Sequence, residues 1–319
     1  TSSRIGLAAL IAAGTAALAP ALVLRLDIDF VALWRSWGDI ALLLLGVGAL
    51  VLPYLAGGVF IAALLRRHRV QTGRLYAADL VGAAMGGVGA VAAMNGFGVP
   101  AAAALVCLPG ALAGWGRDRY QQVAALGLAA ALAALAALAG AVLVPRGPEK
   151  APIVAEHWDA LGRIKIYVHG AQARGINIDG AANMLLHRVR GDWREGMPVQ
   201  PPDFRLDLGP LVAALAAERV MVVGAGGGAE VMQAKLGGAT CIDAVEVNAA
   251  LNEMLLAGDQ AAFFGHLYRS AGVSVQSEDA RAYARRPPGT FDLILSRSAN
   301  TFAALSSGAF ALAENYLFT

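Results

Sequence analysis

The sequence predicts a multi-helix transmembrane domain followed by a soluble α/β domain, and three observations lead to this division. The 319-residue chain is 57% hydrophobic and only 15% charged, whereas about 25% charged residues is usual in soluble domains. Residues 1–145 consist mainly of Ala, Leu, Gly and Val, while most acidic residues lie beyond Pro145. In the second half, short apolar runs alternate with helix-compatible segments, which is typical of a parallel α/β sheet.

The predicted transmembrane domain covers residues 1–145. A helix needs about 20 apolar residues to cross a bilayer. Because further spans follow the first one, the first is not a lone signal peptide. In the third span, Gly82-x-x-x-Gly86 predicts close packing between helices. About five spans are expected: Ile5–Leu24, Ile40–Leu65, Leu75–Phe97, Val99–Trp115 and Tyr120–Val144.

Residues 151–205 are predicted to form a small β subdomain after a Pro-rich linker. Its short, partly alternating segments are separated by Gly-rich turns, as in an antiparallel sheet. The predicted strands are Arg163–Val168, Gly175–Asp179 and Met184–Val189.

Residues 206–319 are predicted to form a parallel sheet covered by helices. Because the chain stops at Thr319, soon after the fourth strand, we expect the C-terminal strands of the sheet to be missing. The expected strands are Val220–Val223, Thr240–Val247, Val273–Gln276 and Phe291–Leu295, and the expected helices are Leu208–Ala217, Ala229–Leu236, Ala249–Ala257 and Asp279–Arg286.

The strongest functional signal is the glycine turn, defined as Gly224–Gly228, after the first strand of this sheet. Gly224, Gly226 and Ala229 fit the pattern G-x-G-x-x-A of dinucleotide sites. Glu246 ends the next strand, where a carboxylate can accept hydrogen bonds from ribose hydroxyls. Asp279 follows the third strand and is either an adenine acceptor or a helix N-cap. The turn therefore predicts a nucleotide site.

Several other classes of site have no support in the sequence. Cys107 and Cys241 form no disulfide framework, and the histidines have no metal-ligand spacing, so we expect no metal. The formal net charge is only +2, and no basic run interleaved with aromatic residues indicates binding to nucleic acid.

Together these stretches resemble the membrane-attached branch of the spermidine synthase (polyamine aminopropyltransferase) family. The similar stretches are VMVVGAGGGAEV, AVEVN, EDARAYAR and FDLIL, with GINIDG upstream, GAFALAENYLFT downstream and GRLYAADLVGAAMGG in the membrane half. The resemblance implies a class I S-adenosylmethionine-type, Rossmann-like domain after the small β subdomain. It also implies decarboxylated S-adenosylmethionine, or S-adenosylmethionine, as a substrate and a polyamine such as putrescine as acceptor. The residues implied to bind the nucleoside are Gly224, Gly226, Gly228, Glu246, Asp279 and Ala280.

The predicted catalytic loop departs from the family pattern. Asn300 stands where the family has a catalytic Asp, and an amide cannot act as a general base at neutral pH. Asp292 and Glu314 are alternative candidates for the base. Asn183 stands where the family has a Gln after the I-D-G motif.

The leading hypothesis is a membrane-bound, spermidine-synthase-like protein that transfers an aminopropyl group. The open alternatives are an S-adenosylmethionine-dependent methyltransferase, a non-catalytic nucleotide-sensing or transporter-like membrane protein, and an NAD-binding domain. The expected partners are the nucleoside, a polyamine, the lipid bilayer and, as an open alternative, a second copy in a homodimer. We expect an integral protein of the bacterial inner (cell) membrane.

The side of the membrane on which the soluble domain lies stays open. Arg66, Arg67, Arg69 and Arg74 make the loop between the second and third spans the most basic, which predicts a cytoplasmic loop. Three further spans then place the soluble domain outside, whereas a cytosolic nucleotide requires it inside. A re-entrant segment or a miscounted span would resolve the conflict.

Overall fold

The structure, a computed structural model, describes residues 2–26, 28, 33–116, 118–144, 151–179, 182–199, 207–286 and 290–297. The chain divides into two compact units. The helical unit comprises Thr1–Glu149 with Trp158–Ala160, and the α/β unit comprises Lys150–His157 with Leu161–Thr319. The predicted division into apolar helices followed by an α/β region is confirmed.

Seven α-helices are found in the described part of the helical unit. Four helical segments of the described residues are long and apolar enough to cross a membrane, which is compatible with an integral membrane protein. Their ranges are Arg4–Val23, Trp37–Arg67, Arg69–Phe97 and Arg119–Ala137. The bounds are α1 Ser2–Val23, α2 Trp37–Arg67, α3 Thr72–Phe97, α4 Val99–Leu105, α5 Leu108–Ala113, α6 Arg119–Ala137 and α7 Ala139–Val142.

The fourth predicted span is not one continuous helix. It is divided into α4 and α5 by a turn at Val106 and Cys107. Pro109 lies in the first turn of α5. Proline has no N–H to donate to the carbonyl four residues earlier, at the end of α4, and its ring clashes with that carbonyl. Among the described residues, four helices are long enough to cross a membrane, and the expected fourth span, Val99–Trp115, forms the short pair α4 and α5 instead.

The glycines of α3 do not make the predicted close packing within the described part of the chain. A Cβ added at Gly82 or Gly86 meets nothing within 4 Å. No residue of α3 is buried. The small-xxx-small pattern therefore faces open space on this helix.

The α/β unit begins with a four-stranded sheet in the order β1-β2-β3-β4. The pairs β2–β3 and β3–β4 are antiparallel, as predicted, with Ile166 opposite Ile176 and Ile176 opposite Met184. The first strand was not predicted, because its sequence, IVAEHWD, does not alternate clearly between apolar and polar residues. The bounds are β1 Ile153–Asp159, β2 Gly162–Val168, β3 Ala173–Ile178 and β4 Ala182–His187.

The second sheet is parallel and has the order β7-β6-β5-β8. Its strands are β5 Arg219–Val223, β6 Cys241–Val245, β7 Val273–Gln276 and β8 Leu293–Leu295. β6, β7 and β8 lie inside predicted segments, and β5 begins one residue before its predicted segment. The helices of this unit are α8 Gly209–Ala214, α9 Ala229–Leu236, α10 Ala249–Leu256, α11 Gly258–Phe263 and α12 Ala280–Ala284.

One hydrophobic core joins the two sheets of the α/β unit. It contains Ile166 and Ile176 from the antiparallel sheet and Val220 from the parallel sheet. Phe264 and Leu267 are fully buried in the same core, although no helix or strand was predicted for their segment. The small β subdomain and the parallel sheet are therefore held together by shared apolar packing, which fixes β4 against the glycine turn.

Candidate functional site

The candidate site lies at the carboxyl edge of the parallel sheet. Since β5, β6 and β7 run parallel, the segments that follow them meet at one edge. The glycine turn follows β5, Glu246 follows β6, and Asp279 comes shortly after β7. The predicted nucleotide-binding residues are therefore collected at this edge.

The glycine turn needs glycine for its backbone conformation. Gly224, Gly226 and Gly228 have φ values of 68°, 45° and 79°, which a side chain disfavours. The turn is anchored to the end of β6, because the N–H groups of Gly224 and Ala225 both donate to the carbonyl of Val245, at 2.9 and 3.1 Å. Helix α9 begins directly after Gly228.

Close packing against β4 is a second reason for glycine in this turn. A Cβ on Gly226 would lie 2.5 Å from the Sδ atom of Met184, and one on Gly227 would lie 2.5 Å from the carbonyl oxygen of Leu185. The inner face of the turn is therefore filled by protein. The glycine pattern alone does not require a ligand.

Glu246 joins the glycine turn to the end of β6. The residue is 8% exposed, and its carboxylate accepts hydrogen bonds from the N–H of Gly226 at 3.3 Å and of Asn248 at 3.0 Å. Burial raises the pKa of this carboxyl above the ordinary value, and the backbone hydrogen bonds oppose that shift. Glu246 is thus a buried acceptor at the position predicted to bind ribose.

Tyr268 supports the glycine turn from the core, a role that no sequence pattern indicated. Its hydroxyl donates a 2.7 Å hydrogen bond to the carbonyl of Gly226, and its ring makes an edge contact with Phe264. Burial raises the pKa of the phenol, and the charges of Glu246 and Glu230 raise it further. The tyrosine is therefore a neutral donor that fixes the backbone of the turn.

Asp279 is the N-cap of α12. It accepts hydrogen bonds from the N–H groups of Arg281 at 2.8 Å and Ala282 at 3.4 Å. Its second oxygen pairs with the guanidinium of Arg281 at 2.9 Å. The hydrogen bond from the Arg281 side chain is the main reason that the pKa of Asp279 is lowered to about 2. The capping role is confirmed, and adenine binding stays a prediction.

Two further groups near the end of β7 could contact a base. Ala280 is the first residue of α12, where a backbone N–H has no partner within the helix. Asn252 donates from Nδ2 to the Oγ of Ser277 at 2.9 Å. Its Oδ1 atom is buried and has no hydrogen-bond partner among the described residues. Asn252, which sequence patterns did not indicate, thus offers an unused acceptor.

A small cavity lies beside this edge, between α12 and strands β5 and β8. Its volume is about 230 Å³, and its lining includes Val223, Ala280, Arg281 and Ile294. Pockets for drug-sized ligands usually measure about 300–1,000 Å³. The cavity is therefore smaller than a complete nucleoside site.

Asp292 is not placed to act as a base at the glycine turn, which corrects that prediction. Its Oδ2 atom accepts hydrogen bonds from the N–H groups of Glu218 at 3.0 Å and Arg219 at 2.8 Å. Both donors lie at the start of β5, whereas the glycine turn follows the end of that strand. Asn300 and Glu314, the other predicted catalytic residues, lie outside the described residues.

Asn183, at the position of the family's Gln, lies in β4. Its Oδ1 atom accepts a 2.8 Å hydrogen bond from the Nδ2 of Asn177, a buried residue of the neighbouring strand. Within the described ranges, no three or more His, Cys, Asp and Glu side chains come together as metal ligands.

No protein-family model matches the chain, and no curated protein matches it.

Replacing Gly227 tests the packing of the glycine turn against β4. We expect Gly227→Ala to lower the free energy of unfolding by about 3 kcal/mol, because the new methyl group would overlap a backbone carbonyl that cannot rotate away. Gly258→Ala is the control. Gly258 has a φ of 63° with nothing within 4 Å, so only backbone strain of about 1 kcal/mol is expected. Chemical denaturation of the full chain in detergent measures both, and equal losses would contradict the packing argument.

Replacing Asp292 tests its role at the start of β5. We expect Asp292→Ala to lower the free energy of unfolding by about 1–2 kcal/mol, since two backbone N–H groups lose their acceptor. Asp292→Asn keeps a carbonyl oxygen and should lose less. The same denaturation measurement applies, and an Ala variant as stable as the parent chain would contradict this role.

Proposed function

We propose that this chain is a membrane-bound, spermidine-synthase-like protein whose α/β unit binds an S-adenosyl-type nucleoside at the carboxyl edge of the parallel sheet. The observation that supports the proposal is that Glu246 and Asp279, which follow adjacent parallel strands, lie at the same edge as the glycine turn. Ligands of open α/β sheets bind at this edge. The class I S-adenosylmethionine-type fold is part of the proposal.

Glu246 is suited to bind the ribose. Its two oxygens accept backbone N–H groups, among them those of Gly226 and Asn248, and a carboxylate has about four lone-pair sites, so acceptor capacity is left for a ribose hydroxyl. The ligand would thus add to the existing hydrogen bonds without replacing them. The backbone N–H of Ala280 would contact an acceptor on the adenine edge, whereas the Oδ1 atom of Asn252 is buried and would have to become accessible to accept from the adenine amino group.

The proposed reaction is aminopropyl transfer from decarboxylated S-adenosylmethionine to a polyamine such as putrescine. The amine nitrogen forms a bond to the carbon next to the sulfonium, the carbon–sulfur bond breaks, and methylthioadenosine leaves with the electron pair. The attacking amine loses one proton to a base or to water. Asn300 could hold the amine through its carbonyl oxygen but could not take this proton, so Glu314 remains a candidate.

A second candidate function is non-catalytic nucleoside binding. The observation that favours it is that the described carboxylates Asp292 and Asp279 already have other partners. Asp292 lies at the opposite edge of the sheet, and Asp279 is paired with Arg281. Only an assay for products separates this function from transfer, and S-adenosylhomocysteine among those products would indicate a methyltransferase.

Calorimetry on the full chain in detergent tests nucleoside binding. The ligands are decarboxylated S-adenosylmethionine, S-adenosylmethionine, methylthioadenosine and NAD. We expect Glu246→Gln to weaken binding of the sulfonium nucleosides by about tenfold or more, since a hydrogen bond to a charged acceptor contributes about 1.5–3 kcal/mol. Glu253→Gln, on the exposed face of α10, is the matched control and should have no effect.

The pH dependence of binding gives this test a second result. A protonated carboxyl accepts hydrogen bonds poorly, so affinity should fall as the pH drops through the raised pKa of Glu246. The fall should start at a higher pH than for an ordinary glutamate and be absent in Glu246→Gln. Failure of every sulfonium or thioether nucleoside to bind would contradict the proposal.

The side of the membrane provides an independent test. The proposal requires the α/β unit to face the cytosol, which supplies the nucleoside. Among the described residues, two long helices, α3 and α6, follow the arginine-rich loop between α2 and α3, so a cytoplasmic loop puts the α/β unit in the cytosol as well. Cys241 is exposed and Cys107 is buried. A membrane-impermeant maleimide should therefore label Cys241 only after cells are permeabilised, with Cys241→Ser as the control. Labelling in intact cells would contradict a cytosolic substrate.

A further inference from the structure

One end of the helical unit, where α1 starts and α2 finishes, combines arginines with a cavity. These two helices run in opposite directions: Gly46 of α2 lies beside Val23 near one end, while Leu64 of α2 and Ile5 of α1 line one cavity at the other. Arginines are concentrated at this second end, with Asp118 and Asp79 as the nearby acids along the chain. The arginines at this end, among the described residues, are Arg4, Arg66, Arg67, Arg69, Arg74 and Arg119.

The cavity at the arginine-rich end has a volume of about 440 Å³. This lies within the range of about 300–1,000 Å³ that is usual for small-molecule sites. Arg67 contributes a cation to its wall and His68 an imidazole, and Trp115, which is half exposed, also lines it. Among the described residues, no ion pair joins Arg67 or His68 to a carboxylate.

The same cavity has an apolar wall that continues towards the middle of α2. Phe60, Leu64 and Arg67 all line it, and their spacing of four and three residues places them on one face of the helix. Moving from Arg67 to Phe60, the lining therefore changes from cationic to apolar over about two turns. A free anion would contact only the cationic part of this lining, near Arg67.

We propose that this cavity binds an anionic glycerophospholipid. Arg67 and His68 hold the phosphate of the headgroup, and Ile5, Phe60 and Leu64 contact the upper part of an acyl chain. Basic pockets between transmembrane helices bind such headgroups because the phosphate meets cations at the depth where the acyl chains meet apolar side chains. Trp115 fits the same interface, since its indole has an apolar ring and a polar N–H.

The test uses the delipidated full chain in a neutral detergent and native mass spectrometry with titrated dioleoyl-phosphatidylglycerol. Dioleoyl-phosphatidylcholine and glycerol phosphate are the comparison ligands. We expect the phosphatidylglycerol to bind tightest. Arg67→Gln should weaken it about fivefold, which corresponds to about 1 kcal/mol for one arginine near a headgroup. Arg69→Gln, in the same loop but not in the cavity lining, is the matched control and should have little effect.

Three results would overturn the proposal. Equal weakening by Arg67→Gln and Arg69→Gln would mean that the arginines act only as a diffuse surface charge. Equal binding of the two lipids would exclude recognition of an anionic headgroup, and equally tight binding of glycerol phosphate would mean a site for free phosphate.

A second variant tests the apolar wall and does not depend on charge. Leu64→Trp should fill the cavity and weaken the phosphatidylglycerol severalfold, while the unfolding temperature in lipid-free detergent shows whether the variant is folded. Unchanged lipid binding in a folded Leu64→Trp chain would contradict the proposal. This site is independent of the nucleoside site, so either proposal can fail without the other.

Discussion

The buried carboxylate of Glu246 holds the candidate site together. It accepts N–H groups from the segments after two neighbouring strands, at Gly226 and Asn248. Asn248 in turn caps α10 by accepting the N–H of Leu251, and α9 starts from the glycine turn. One side chain therefore sets the starting points of two helices. Tyr268 fixes the same turn from the other side, so the edge of the sheet is rigid before any ligand arrives.

The parts of the fold that depend on short-range patterns could be predicted from the sequence. Apolar runs located all four strands of the parallel sheet, because strands that are covered on both faces need no polar residues. Phe264 and Tyr268 could not be predicted in this way, since their segment is buried by long-range packing and has no clear period. The break between α4 and α5 was also missed, although Pro109 was visible, because the composition of Val99–Trp115 is continuously apolar.

For the site residues, the direction of a strand predicted the edge of the sheet at which a residue lies, whereas the chemistry of its side chain did not. Glu246 and Asp279 follow their strands, and the direction of a parallel strand was enough to predict which edge they would occupy. Asp292 precedes the three residues of β8, so the same rule assigns it to the other edge, and its chemistry as a carboxylate was misleading. The glycine turn is a different case, because its glycines are explained by φ and by Met184 and Leu185 before a ligand is considered.

The two units have cores of different composition, and this affects how heat would unfold the chain. The core of the helical unit consists largely of small residues, such as Ala13, Ala17 and Ala111, whereas that of the α/β unit contains large aliphatic and aromatic side chains. Unfolding the α/β unit exposes apolar surface to water and raises the heat capacity. Separating helices in lipid exposes that surface to acyl chains, which removes this contribution. Calorimetric stability measured on the whole protein would therefore describe the α/β unit almost alone.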